Sequence, residues 1–172
     1  MKLLFEEITG KTRQYSINDG CWLRDEKVDC HITAATANFL VSRQESDTVF
    51  LAGKMEIQRS ALCDRCGEQV KEKLYGEFEY RITTRKEEAV ELRDVECSDD
   101  DAITLYVKDP EIDVDEILRE QTYLSFPLRT LCSEECKGIC AGCGVVLNKG
   151  GCCCSSDKST SAFAVLKKLT NR

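Results

Sequence analysis

The chain has 172 residues, 42% hydrophobic and 32% charged, a balance that suits one folded domain or one domain with a small appendage. No apolar run approaches the roughly 20 residues that cross a bilayer as a helix. The net charge of −7 excludes binding to nucleic acid by bulk electrostatics alone. The charge is uneven: residues 85–120 carry 14 acidic and 5 basic side chains, against 17 and 19 in the remainder. The amino-terminal segment MKLLFEEITGKTR has Glu6 and Glu7 where an export signal keeps its apolar centre, so the chain is expected to stay in the reducing cytoplasm.

In chain order, Leu3 to Ile8 is a short apolar stretch with the character of a strand. Gly10, Asn18-Asp19-Gly20 and the charged run Arg24–Lys27 interrupt the next segment, leaving Tyr15, Ile17, Trp22 and Leu23 as anchors on a core. Residues 28–42 read as a strand in which Val28, Cys30, Ile32, Ala34 and Thr36 alternate with more polar positions, the pattern running weakly to Leu40. His31, the one histidine, falls opposite Val28 and Ile32. No neighbour in this segment equips it for catalysis or metal binding, so it reads as a solvated or structural residue.

Residues 48–62 form a second strand with Val49, Leu51, Gly53, Met55 and Ile57 on one face. Residues 69–83 form a third, with Val70, Leu74, Gly76, Phe78, Tyr80 and Ile82 on one face. Joined through Cys63-Asp64-Arg65-Cys66-Gly67, the two predict a long antiparallel hairpin. Residues 84–102 lose the alternation and read as an acidic loop, in which Asp99-Asp100-Asp101 is a solvated charge run. Ile103 to Val107 returns to the sheet as a short strand, which Asp109-Pro110 ends. Residues 113–125 predict a helix, with Asp113 as N-cap, Glu116 as its capping-box partner and Val114, Ile117, Leu118 and Gln121 along one stripe. Pro127 stops it. Ser159 to Leu169, with Phe163, Leu166 and Leu169, predicts a short closing helix whose Lys167, Lys168 and Arg172 suit its negative end.

The expected architecture is α+β. An antiparallel sheet built on a long hairpin, with one or two helices, occupies residues 1–127, and a cysteine-rich, zinc-binding tail occupies 128–172.

Residues 131–154 hold seven of the 12 cysteines. Thiols at this density form a disulfide scaffold or a metal site, and a reducing compartment favours metal. Cys140 and Cys143 form a CxxC pair with Gly144 directly after it. Cys152 and Cys154 form a CxC pair whose side chains share one side of an extended chain, while Cys153 points away. Cys132 and Cys136 could complete a site with Cys140 and Cys143, or pair with the distant Cys63 and Cys66. Four pairs suffice for two four-thiolate sites, and one site with spare thiols satisfies the count equally. Short glycine-flanked pairs resemble zinc ribbons and knuckles more than iron–sulfur sites.

A four-thiolate zinc is coordinatively closed and does no hydrolysis, so the metal is expected to be structural. A thiol redox enzyme would need its CxxC at the start of a helix beside a parallel sheet, and Cys63/Cys66 lies between antiparallel strands. Cys21, Cys30 and Cys97 stand alone as ordinary thiols. GxGxxG, Walker, GxSxG and HExxH motifs do not occur, and one histidine leaves no Ser–His or Cys–His pair away from His31. Neither an enzyme nor a small-molecule substrate is expected.

Taken together, CDRCG between two long strands, LSFPL after a helix, LCSEECKGICAGCGVVLN and the CxC-containing run resemble the YceD family of bacteria and plastids across nearly the whole chain. The most specific parts are Cys63-Asp64-Arg65-Cys66-Gly67 and Cys136 to Gly144 with Leu147-Asn148 beyond it. The chain departs from the family in carrying three consecutive cysteines where CxC is usual, and Ala141 where proline is usual. The resemblance implies a non-enzymatic role in accumulation or processing of 23S ribosomal RNA, and so in large-subunit biogenesis. It also implies a mixed α and β fold around an antiparallel sheet. The partner is then ribosomal RNA or a ribosome-assembly protein. The alternative is a zinc-stabilised protein-interaction module that acts on RNA only indirectly.

Overall fold

The computed structural model describes residues 1–23, 31–85 and 102–154. The chain forms two compact units, one from residues 1–61 and 69–130, the other from residues 62–68 and the chain from Leu131 onward. The segment Leu62–Glu68, placed by the sequence within the core domain, thus groups with the cysteine-rich tail. The charged run Arg24–Lys27, Val28, Cys30, Cys97, Asp99–Asp101, most of the acidic loop and the closing helix lie outside the described residues.

The first unit is mostly sheet with one helix among the described residues. Its strands are β1 (Lys2–Leu4), β2 (Arg13–Ile17), β3 (His31–Glu45), β4 (Thr48–Leu62), β5 (Gln69–Thr83), β6 (Thr104–Tyr106) and β7 (Glu111–Asp113), and helix α1 (Val114–Leu124) comes after them. The last residue of β4 belongs to the second unit. The main sheet has the order β2-β3-β4-β5-β6, and β1 pairs with β7 apart from it. Pairing of β2 with β3 and of β3 with β4 is antiparallel. The short returning strand β6 runs parallel to β5, so an otherwise antiparallel sheet carries one parallel pairing at its edge. The apolar stretch at the start gives only three strand residues before a 3-10 turn at Phe5–Glu7. Strand β7, with three residues, is too short for alternation to show in the sequence, and in β2 Tyr15 and Ile17 are the half-buried positions.

The alternation in β4 and β5 places Val49, Leu51, Met55, Ile57, Phe78 and Ile82 in the core. In β3 the faces are exchanged relative to the expected ones: Ala35, Ala37, Phe39 and Val41 are buried, while Ala34 and Leu40 are exposed. The cause is a register shift between Ile32 and Ala34 in the pairing with β4. One extra residue at such a bulge reverses which parity faces inward.

Trp22, in the 3-10 turn Cys21–Leu23, is fully buried. Its indole Nε1 donates to Thr122 Oγ1 at 3.3 Å, and Thr122 Oγ1 donates to the Leu118 carbonyl at 2.7 Å. A buried indole thus keeps the partner it needs. Asp113 caps α1 by accepting from the Glu116 amide at 3.2 Å. The helix buries Val114, Ile117, Leu118 and Thr122, while Gln121 Nε2 donates to the Tyr80 hydroxyl at 2.5 Å. Arg59 continues the inward parity of β4 and is buried. Its guanidinium pairs with Glu72, donates to Thr130 Oγ1 at 2.9 Å and lies 4.4 Å from the Phe126 ring centroid. A buried cation persists where its donors are satisfied, as these are.

Gly53 faces Phe39 across the β3–β4 ladder. A Cβ there would sit 2.5 Å from Phe39 Cβ, 2.7 Å from the Asn38 carbonyl oxygen and 2.8 Å from Phe78 Cζ. At Gly76 the nearest atom is Met55 Cε at 2.5 Å, the free end of a flexible side chain. Gly53→Ala should therefore lower unfolding free energy by about 2 kcal/mol through overpacking, and Gly76→Ala by less than about 1 kcal/mol. Urea denaturation of the two variants checks the order, and a larger loss at Gly76 would contradict this packing.

Candidate metal centres

The second unit carries two turns of the same construction. In the first, the Cys63 amide donates to the Glu68 carbonyl and the Gly67 amide donates to the Cys63 carbonyl, both at 2.8 Å. In the second, the Cys140 amide donates to the Val145 carbonyl and the Gly144 amide to the Cys140 carbonyl, again both at 2.8 Å. Gly67 and Gly144 have φ of 73° and 75°, a left-handed conformation that a side chain resists. A CxxCG sequence is therefore enough to write the turn, and it leaves both sulfurs on one side.

Each turn has a partner pair. Cys63, Cys66, Cys132 and Cys136 form one quartet, and Cys140, Cys143, Cys152 and Cys154 another, with the four sulfurs of each within 4.8 Å of one another. Either quartet could hold a metal ion. Of the two pairings open to Cys132 and Cys136, the structure gives the one with the distant Cys63/Cys66. Cys153 is exposed and belongs to neither quartet. Cys21, the one isolated cysteine among the described residues, is half-buried and belongs to neither quartet.

In the first quartet Cys63 and Cys136 Sγ are 3.8 Å apart, and Cys66 and Cys132 Sγ are 3.6 Å apart. Cys63, Cys66 and Cys136 are buried and Cys132 is the most open. In the second, Cys140 and Cys152 Sγ are 3.2 Å apart, both half-buried, while Cys143 and Cys154 are exposed.

The thiols of each quartet do not share one proton affinity. Burial opposes ionisation of Cys63, yet the backbone amides of Cys132, Arg65 and Cys66 override it and bring the thiol down to about 6. The Asn148 side chain is the main cause that lowers Cys136. The Glu68 amide favours the Cys66 thiolate, but burial and hydrogen bonding with the neighbouring thiols push Cys66 up to about 12. Cys132 is raised chiefly by its hydrogen bond with Cys136. In the second quartet the Cys143 amide, then Cys152 and the Gly142 amide, hold Cys140 at about 6, while Cys143 and Cys140 push Cys154 up to about 12. Some thiolates are favoured and their neighbours then resist ionising, the behaviour of like charges at short range. A divalent cation would remove that conflict.

The sequence marks Asn148 only as part of a motif, with no role. In the structure its Nδ2 donates to Cys136 Sγ at 3.2 Å and Cys132 Sγ at 3.4 Å, and its Oδ1 accepts from the Lys137 amide at 2.8 Å. Arg65, the R of CDRCG, donates to the Cys136 carbonyl at 2.9 Å and the Glu134 carbonyl at 3.2 Å. Lys149 pairs with Glu68 at 2.7 Å. A polar residue fixed beside paired cysteines was the available signal for Asn148. No spacing rule reaches across the chain to find Arg65.

The buried hydrophobic side chains of this unit, among the described residues, are Cys63, Cys66 and Cys136. Ile139 and Val145 are exposed. Asn148→Leu removes two donors to sulfur and should weaken metal retention at the first quartet by about tenfold or more. Competition with a chromophoric chelator measures this, and an unchanged affinity would contradict the part given to the amide.

The sequence matches the family described as "Large ribosomal RNA subunit accumulation protein YceD" over residues 51–170. It is 28% identical over 130 residues to "Large ribosomal RNA subunit accumulation protein YCED homolog 1, chloroplastic" of Arabidopsis thaliana, covering 62% of this chain and 40% of that protein. It is 31% identical over 68 residues to the protein of the same name from Zea mays, covering 40% of this chain and 23% of that protein. The chain therefore spans less than half the length of these relatives. No solved structure matches it. The family match runs from β4 through both CxxCG turns and both cysteine quartets, and the chain belongs to the YceD family.

Proposed function

We propose that the chain is a non-enzymatic factor in accumulation of 23S ribosomal RNA and biogenesis of the large ribosomal subunit, its second unit held by two structural zinc ions. The observation that carries the function is the family match over residues 51–170. The first ion would be held by Cys63, Cys66, Cys132 and Cys136, the second by Cys140, Cys143, Cys152 and Cys154. Sulfurs about 2.3 Å from a central zinc stand about 3.8 Å apart along the edges of a tetrahedron. The separations of 3.8 and 3.6 Å in the first quartet fit that edge. An iron–sulfur cubane would interpose its own core and spread the four sulfurs farther. Four thiolates leave no open position, so zinc supplies cross-linking here and no bond-breaking chemistry.

We read β4 and β5 as one long antiparallel hairpin that presents Cys63 and Cys66 at its turn. Cross-strand contacts support this: Lys54 with Glu77 at 2.7 Å, Lys73 with Glu56 at 3.3 Å, and Gln69 Nε2 donating to Ser60 Oγ at 2.8 Å. The reading places the chain in a reducing compartment, the cytoplasm, where thiols stay free for metal. Among the described residues no helix is long and apolar enough to cross a membrane.

The partner is ribosomal RNA or an assembly protein. A protein partner is favoured by the exposed apolar side chains Tyr123, Leu124 and Leu128 at and after the end of α1, and by the net charge of −7. In cells lacking the chain, 23S RNA should fall relative to 16S RNA. The wild-type chain should restore it, and Cys63→Ser/Cys66→Ser should not. Quantitative hybridisation reads both, and an unchanged 23S level in the deletion would remove the proposed role.

A further inference from the structure

Two quartets with the same four ligands are built to different standards of enclosure. In the first, three thiols are 3%, 6% and 5% exposed, at Cys63, Cys66 and Cys136. Its ligands come from parts of the chain 73 and 66 residues apart, so a lost ligand opens a long loop. Asn148, Arg65 and the Lys149–Glu68 pair hold it from outside. In the second, Cys143 and Cys154 face solvent. Its ligands lie within one short stretch, with Cys140 and Cys152 12 residues apart. Among the described residues its outer support comes from backbone amides alone: those of Cys143 and Gly142 reach Cys140, the latter at 3.4 Å, and Gly150 and Gly151 have nothing within 4 Å of the position a Cβ would take.

We infer that the second quartet is an exchangeable metal site, giving its thiophilic divalent ion to a competing thiol or chelator while the first quartet keeps its own. This rests on the reading that both quartets hold metal. Exchange needs an incoming ligand to reach the ion and a protein sulfur to leave. At Cys143 and Cys154 the incoming sulfur or nitrogen approaches from solvent, forms its bond to the metal, and the departing thiolate takes up one proton. The short glycine-flanked loop lets that sulfur swing out without disturbing the sheet. At the first quartet only Cys132 is open to solvent, and the Asn148 amide donates to its sulfur at 3.4 Å and holds it, while the other three sulfurs are buried.

The zinc-loaded full chain would be mixed with an excess of the chromophoric chelator 4-(2-pyridylazo)resorcinol, and metal release tracked in time. Aliquots alkylated with N-ethylmaleimide would be mapped by peptide mass spectrometry. The expected result is two equivalents released in two resolved phases. Labelling of Cys140, Cys143, Cys152 and Cys154 should accompany the fast phase, and labelling of Cys63, Cys66, Cys132 and Cys136 the slow one. Cys143→Ser/Cys154→Ser should lose the fast phase and keep the slow one. Release of both equivalents in a single phase, or fast labelling of Cys63 and Cys66, would overturn the inference and leave two-site binding intact. A chain purified under reducing conditions with less than one equivalent of metal would overturn both this inference and the zinc reading beneath it.

Discussion

Four thiols whose sulfurs lie within 4.8 Å of one another cannot all ionise unless a cation sits among them. The second unit depends on that constraint. The interior of an ordinary domain is apolar, and apolar burial drives its folding. Here the buried hydrophobic side chains of the unit, among the described residues, are cysteines of one quartet. The lowered Cys63 and raised Cys66 describe a site left with an electrostatic conflict that a divalent ion would relieve. If the quartets hold metal as proposed, metal binding and folding of this unit would be one equilibrium.

The two CxxCG turns divide the work differently. One lies in the chain directly between β4 and β5. The other belongs to a glycine-rich stretch with a single isolated bridge, Ile139 to Val146. The same local hydrogen bonding therefore produces an enclosed quartet and an open one, and the difference lies in what surrounds the turn. The first unit needs no such device. Trp22, Phe39, Leu51 and Ile57 are fully buried in an apolar core, and the buried Arg59 and Thr122 within it are partnered.

Much of this was legible in the residues. Alternation marked β4 and β5 with the correct faces because both are long and regular. Asp113 and its stripe marked α1 because the cap and the apolar spacing agree. The CxxCG turns were legible because glycine at a left-handed position leaves a local signature. The features that stayed hidden depended on contacts far apart in sequence. The shift between Ile32 and Ala34 exchanged the faces of β3 without any glycine or proline to announce it. Arg59 sat at an inward position, but its charge hid the parity it shared with Ile57. Spacing alone could not choose whether Cys132 and Cys136 joined Cys63/Cys66 or Cys140/Cys143, since both closures satisfy local geometry.

The proposed dependence of the second unit on a metal ion is tested most directly by amide NMR of the isotope-labelled full chain before and after treatment with a chelator under reducing conditions. The resonances of residues 62–68 and 131–154 should collapse to unstructured positions while those of β3, β4 up to Ala61, and β5 stay dispersed. They should return when one equivalent of zinc per quartet is restored. Resonances of Cys132 to Asn148 that stay dispersed without metal would show that the thiols pack into a fold unaided, and would contradict the metal dependence.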